Sequence, residues 1–236
     1  MINRIIKQIP NTITSCNLIC GCIAIVCALH DHYTTALLFI ILGATFDFFD
    51  GMSARLLHVS SNIGKELDSL ADDVTFGVAP ASMVFSICKN CSYPSFLGEL
   101  SQYLPYLAFI MAAFSAIRLA IFNLDTRQTT SFIGLPTPAN ALFWGALIVA
   151  HQRTFIEGSN EWFGIGLLLG TFIFSYLLVA DIPMFALKFK NLSWADNSIK
   201  YIFIITSIIL ILVLGISGIS AVILWYIILS VFTQNK

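Results

Sequence analysis

Residues 201–214 read YIFIITSIILILVL. The run carries no charge, and its apolar residues cover every face of a helix drawn through it. A helix that is hydrophobic all round belongs in the interior of a large protein or in a membrane. The rest of the chain decides between the two. It has 236 residues, 58% of them hydrophobic and 11% charged, where water-soluble domains carry about 25% charged residues. A soluble domain of this length has no interior large enough for that much apolar surface. In lipid every backbone polar group must be paired internally, which leaves helices or a closed barrel. Barrel strands alternate apolar and polar residues, and no such alternation is present. The expectation is an all-α, polytopic helical membrane protein with the lipid bilayer as its solvent.

A crossing takes about 20 mostly apolar residues. Eight segments are read: Asn11–Leu29, Tyr33–His58, Glu66–Ile87, Tyr103–Leu124, Pro138–His151, Trp162–Ala180, Ile199–Leu214 and Ser217–Phe232. As one helix, residues 199–232 would reach about 50 Å, too long for one crossing, and Gly215 and Gly218 offer a turn. Ahead of these segments, Met1–Pro10 sets Ile2, Ile5, Ile6 and Ile9 against Arg4 and Lys7. That pattern predicts a short amphipathic helix lying in the membrane interface rather than a cleavable signal. No internal repeat appears, so residues 1–236 read as a single domain.

Positive loops face the cytoplasm. With the N-terminus there, Arg4, Lys7, Arg55, Lys65, Arg118, Arg127, Lys188, Lys190, Lys200 and Lys236 fall on the cytoplasmic half, and Lys89 and Arg153 fall outside. This places the chain in the cell (inner) membrane with an even number of crossings. A net charge of −1 without a basic stripe gives no footing for nucleic acid. Cys16, Cys20, Cys22 and Cys27 read as packing residues of the first segment. Cys88 and Cys91 form one CxxC in an expected polar loop, weak evidence for zinc without a second pair, and better read as a loop disulfide or as having no role.

The chemistry concentrates in residues 47–72, DFFDGMSARLLHVSSNIGKELDSLAD. Ionisable residues in membrane helices are costly and mark functional sites, usually facing the bundle interior or a water-filled cavity. At about 100° per residue, Asp47, Asp50, Gly51, Ala54 and Arg55 fall on one arc of the second helix. Gly64, Asp68 and Asp72 form a stripe on the third, while Asp73 points away. A short connection makes the two helices antiparallel neighbours, so the acidic stripes face each other across one cleft. Carboxylates in such proximity repel strongly, and divalent cations with oxygen ligands answer that repulsion. Mg²⁺ is usually shared between carboxylates and substrate phosphates, which points to a diphosphate-bearing substrate. Gly51, Ala54 and Gly64 leave room for it, and Arg55 offers a fork for phosphate oxygens.

This stretch resembles the signature of the CDP-alcohol phosphotransferase family, DxxDGxxARx8GxxxDxxxD, at every fixed position: Asp47, Asp50, Gly51, Ala54, Arg55, Gly64, Asp68 and Asp72. The resemblance implies that Asp47, Asp50, Asp68 and Asp72 surround two divalent cations, Mg²⁺ or Mn²⁺, with Asp72 as general base. It makes Gly51, Ala54, Arg55 and Gly64 parts of the CDP-diacylglycerol pocket. It also implies a homodimer, and direct transfer without a covalent enzyme intermediate.

The segments DSLADDVTFGVAPA (68–81), IRLAIFN (117–123) and FIGLPTPANA (132–141), with Ile9, Pro10, Asn11, Thr14, Asn17, Leu18 and Gly21, are similar to the bacterial and archaeal phosphatidylserine synthase group within that family. The group usually has an uncharged residue at Asp73 and a basic one at Ile121. The implied acceptor is L-serine, whose carboxylate needs a cation. Arg118 is the candidate, and Asn123 could bond the same ligand. The alternatives are a sister phosphotransferase using glycerol 3-phosphate or inositol phosphate, and a cation or proton transporter. Transporters usually show inverted repeats and interrupted midplane helices, which are not seen here.

Overall fold

The computed structural model describes residues 8–59, 61–125, 132–157, 161–185 and 193–232. It is helical nearly throughout. Helix α1 is Ile9–Leu29 and α2 is Tyr33–Leu56, joined by a tight turn in which Asp31 takes φ +61°. The third segment is a continuous helical rod of 28 residues, Asn62–Lys89. It consists of α3 (Asn62–Asp72), a π-helical turn (Asp73–Val78) and α4 (Ala79–Lys89). Two 3₁₀ stretches, Ser95–Gln102 and Leu104–Phe109, lead into α5 (Ile110–Leu124). Then follow α6 (Thr137–Glu157), α7 (Phe163–Val179), α8 (Trp194–Leu214) and α9 (Ile216–Phe232). A two-residue antiparallel pair, β1 (Phe132–Ile133) with β2 (Pro183–Met184), closes the loops after α5 and α7.

The helices coincide with the apolar segments of the sequence. Five described helices are long and apolar enough to cross a membrane: Ile9–Leu29, Tyr33–Leu56, Asn62–Lys89, Leu104–Leu124 and Asn197–Leu214. Phe163–Val179 and Ile216–Phe232 are apolar but shorter. Residues 199–232 form two helices. Gly215 ends α8 with φ +58°, a conformation glycine reaches at little cost. A Cβ on Gly218 would lie 2.5 Å from the Leu210 carbonyl oxygen, so the hairpin closes on bare backbone. Lower down, the Trp225 indole donates to the Thr206 hydroxyl at 2.9 Å. Of the residues expected in an interfacial helix, 1–7 lie outside the described part. Ile9 and Pro10 instead open α1, where proline's fixed φ suits the first turn. The third helix starts at Asn62, earlier than expected, because the Ser61 hydroxyl caps it by accepting from the Gly64 N–H at 2.9 Å.

The core runs through the middle of the bundle, where Tyr33, Ile40, Phe76, Met83, Ile87, Met111, Trp144 and Leu178 are buried. Around it the surface is apolar: Ile208, Leu212 and Val213 of α8 are all exposed. Only 11% of that helix's apolar stretch is buried inside the protein, the exposure expected of a membrane-spanning helix. The Cys88–Cys91 pair is not the polar-loop feature the sequence suggested. Cys88 is buried in the last turn of α4, neither cysteine is in a disulfide, and the Cys91 thiol bonds the Ile87 carbonyl at 3.3 Å.

Three helices meet closely where the site is built. Thr75, in the π-helical turn, is fully buried between Gly21 of α1 and Gly43 of α2. A Cβ at Gly21 would come 2.4 Å from the Thr75 hydroxyl, and one at Gly43 would come 2.6 Å from its methyl. Thr75 also donates to the Asn17 carbonyl at 3.1 Å. Glycine on both partners lets α1, α2 and the rod approach at backbone distance.

Candidate active site

Asp47 and Asp50 lie one turn apart on α2, and Asp68 faces them from α3. One carboxylate oxygen from each falls within 4.8 Å of the others, a spacing that hard oxygen ligands around a cation adopt. Asp50 is 5% exposed and accepts from the Thr14 hydroxyl of α1. Three carboxylates this close cannot coexist without positive charge or protons between them. The donor set therefore fits a divalent metal.

Asp72 is one turn beyond Asp68 on the same stripe and within electrostatic range of Asp47 and Asp68. It is not one of the three converging groups. Its Oδ1 instead accepts from the Asn17 side-chain amide of α1 at 3.1 Å.

Beside the acidic groups a cleft of about 280 Å³ opens. Gly51 and Ala54 of α2 form one wall, Gly64, Lys65 and Asp68 of α3 another, and Pro10, Asn11 and Thr14 of α1 the third. The two glycines do different work. A Cβ on Gly64 would meet Asn11 Oδ1 at 2.9 Å, so this glycine lets α3 pack on α1. A Cβ on Gly51 would meet nothing within 4 Å, so its smallness serves the open cleft and no protein contact. Arg55, on the same predicted arc, does not line this cleft. It stands in the last turn of α2, exposed to solvent.

Arg118 is buried, 7% exposed, rather than reaching out to the interface. Its Nε donates to the Leu135 carbonyl at 2.7 Å, and its guanidinium lies 5.7 Å from the Phe122 ring centre. Asp72 and the Tyr226 hydroxyl are within its electrostatic range. Asn123 does not join it. Five residues along a helix are about 140° apart, and the Asn123 amide donates to Ser69 on α3 at 2.8 Å. Its backbone carbonyl accepts from Lys65 Nζ, also at 2.8 Å. Asn123 thus ties α5 to α3. Asp73 lies off the cleft, with Oδ1 buried and unpartnered among the described residues. That oxygen is 2.7 Å from where a Gly77 Cβ would be, beside Ser115.

Sequence reasoning assigned no site role to Asn11, Thr14, Asn17 or Lys65. Their signal was present in part: Asn11, Thr14 and Asn17 recur every three residues in an apolar helix, so they share one face.

The family model for CDP-alcohol phosphatidyltransferase matches residues 7–233. A protein of Bacillus subtilis (strain 168) named CDP-diacylglycerol–serine O-phosphatidyltransferase is 38% identical over 180 residues, covering 75% of this chain and 89% of the relative. A protein of the same name from Helicobacter pylori (strain J99) is 30% identical over 240 residues, covering 96% and 95%. Another, from Saccharomyces cerevisiae, is 41% identical over 117 residues, covering 45% and 39%. The matched span takes in the acidic trio, Asp72, the glycine-walled cleft and Arg118, and the chain belongs to the CDP-alcohol phosphatidyltransferase family.

Proposed function

We propose that this chain transfers the phosphatidyl group of CDP-diacylglycerol to L-serine, giving phosphatidylserine and CMP. The observation that carries the reading is the convergence of Asp47, Asp50 and Asp68 beside Asp72 and an open cleft, in a chain whose relatives are named for this reaction. The whole chain acts as one membrane-embedded domain in the inner membrane, working as a homodimer. The bias of Lys and Arg supports a cytoplasmic active site and eight crossings.

The diphosphate of CDP-diacylglycerol enters the cleft against Gly51, Ala54 and Gly64, while its acyl chains stay in the bilayer. Lys65 on the cleft wall and Arg55 at the exposed end of α2 would offer cations to phosphate oxygens. Asp47, Asp50 and Asp68 would hold two divalent cations, Mg²⁺ or Mn²⁺, which supply neutralisation of the charge that develops on phosphoryl oxygens. The Arg118 guanidinium, anchored through Nε, offers its remaining N–H groups to the serine carboxylate. Asp72 accepts the proton of the serine hydroxyl. The serine oxygen bonds to the phosphorus that bears the lipid. The bond from that phosphorus to the CMP oxygen breaks, and CMP leaves with the electron pair. Positioning and electrostatics supply most of the acceleration.

The test is an acceptor panel. Purified protein is incubated with CDP-diacylglycerol and, in turn, serine, glycerol 3-phosphate or inositol phosphate. Serine-dependent release of CMP is the expected result. Release with another acceptor only would reassign the enzyme to a sister reaction. Release with none would leave the carboxylates to ion transport.

A further inference from the structure

Asn17 sits in the middle of an apolar helix and is fully buried. An amide in such a place is costly unless hydrogen-bonded. Here only half of it is. Nδ2 donates to Asp72 Oδ1, while Oδ1 is buried with no partner among the described residues and lies against Gly43. The amide's orientation is set by Asp72, since an oxygen turned toward that carboxylate would repel it. The residue's backbone is held as well, by the Thr75 hydroxyl on its carbonyl. A residue needed only for packing would do better as an apolar group of the same size, because it would leave no buried acceptor unpaired.

The partner matters more than the bond. Asp72 shares a stripe with Asp68 and lies near Asp47, yet its oxygens are not among the three that converge. We propose that Asn17 is the positioning residue that separates the base from the metal ligands. By holding Asp72 Oδ1, it keeps this carboxylate from joining the trio and leaves Oδ2 free for the acceptor's hydroxyl proton. The inference rests on the role proposed above for Asp72. It adds the reason why one of four similar carboxylates acts differently from the rest.

Two variants test it, each checked for folding by its melting temperature in detergent. Asn17→Leu keeps the size and removes the donor. Asn17→Asp keeps the shape and turns an acceptor toward Asp72. In each, kcat for serine should fall about ten- to a hundredfold, as expected for a lost hydrogen bond to a charged group. KM for serine and CDP-diacylglycerol should stay within about threefold, and the half-saturating Mn²⁺ concentration should not rise. Added to Asp72→Asn, Asn17→Leu should cost no further residual turnover, because the two residues act as a unit. Several results would overturn the proposal: wild-type kcat, losses that appear equally in both KM values or in metal demand, full additivity with Asp72→Asn, or failure of both variants to fold. A separate failure is distinguishable. If Asp72→Asn itself turns over normally, the base assignment falls whatever Asn17 does.

Discussion

Replacing Arg118 separates the two substrates. Its guanidinium is buried, spends Nε on the Leu135 carbonyl, and faces the electrostatic field of Asp72. In the proposed reaction a serine carboxylate enters near four aspartates, and Arg118 is the cation proposed to meet it. Losing a hydrogen bond to a charged group costs about 1.5–3 kcal/mol. At about 1.4 kcal/mol per factor of ten, Arg118→Ala should lower kcat/KM for serine by roughly ten- to a hundredfold. KM for CDP-diacylglycerol should barely move, because the seat proposed for its diphosphate is the α1–α2–α3 cleft. The same substitution orphans the Leu135 carbonyl at a cost of about 1–3 kcal/mol of stability, so thermal melting must be recorded alongside the kinetics. Arg118→Lys keeps a charge but lacks the planar fork, and should recover only part of the activity. The assay varies each substrate separately in mixed micelles. Equal loss for both substrates would make Arg118 structural or part of the diphosphate site. No loss for either would refute its role in serine binding.

Other outcomes follow from the same geometry. Chelation with EDTA should abolish turnover and Mg²⁺ or Mn²⁺ should restore it; full activity in a metal-free preparation would refute the role of the Asp47–Asp50–Asp68 trio. Asp72→Asn should cost about a hundred- to ten-thousandfold in kcat, the scale of general-base catalysis, with CDP-diacylglycerol binding retained, whereas Asp68→Asn should weaken metal binding too, as read by Mn²⁺ titration. Asp73→Asn should be mild in kcat, and a dead enzyme would show that the cleft extends to Ser115. Gly51→Val should raise KM for CDP-diacylglycerol without lowering the melting temperature, since its side chain would enter open space. At the α1–α2 turn, burial opposes the charge on Asp31, but hydrogen bonds from Ser86 and Tyr33 and the Lys89 charge together hold its carboxyl below the ordinary value. The stability it contributes is present above about pH 4 and lost as pH falls through its lower folded value. Asp31→Asn should therefore flatten the acid side of the melting profile.

The facing carboxylates were legible because two regularities suffice to find them. Helical periodicity puts Asp47 with Asp50 and Gly64 with Asp68 and Asp72, and a short connection folds one helix against the other. The part played by α1 was not legible in the same way. The three-residue spacing of Asn11, Thr14 and Asn17 marks a polar seam, but nothing local says that Asn17 ends on Asp72, 55 residues away. That pairing depends on the close approach at Gly21, Gly43 and Thr75, which exists only once three helices are packed. Arg55 shows a different limit. Rotation alone puts it on the acidic arc, but it stands where α2 is ending, and there the side chain turns to solvent. Asn123 is expected to share a ligand with Arg118, yet a helix carries the two to different faces, and Asn123 bonds Ser69 and Lys65 instead.

The π-helical turn at Asp73–Val78 joins the two halves of the rod without breaking it. A π turn fits more residues into each revolution than an α-helix does, so it acts as an insertion absorbed without a loop. Upstream, the rod aims its carboxylates at α2. Downstream, it buries Ala79, Met83 and Ile87 in the core. Removing one residue from this turn and restoring an ordinary α-helix would leave the two halves nearly in phase, because the extra residue is taken up within the turn, but it would shift Thr75 from its place between Gly21 and Gly43. The side chains of the turn are themselves constrained: Thr75 fits between Gly21 and Gly43, and a Cβ on Gly77 would come 2.8 Å from the Ser115 Cβ. The acidic stripe and the hydrophobic core thus keep the phase of one continuous helix, and the turn adds between them a residue for which a regular helix would have no place.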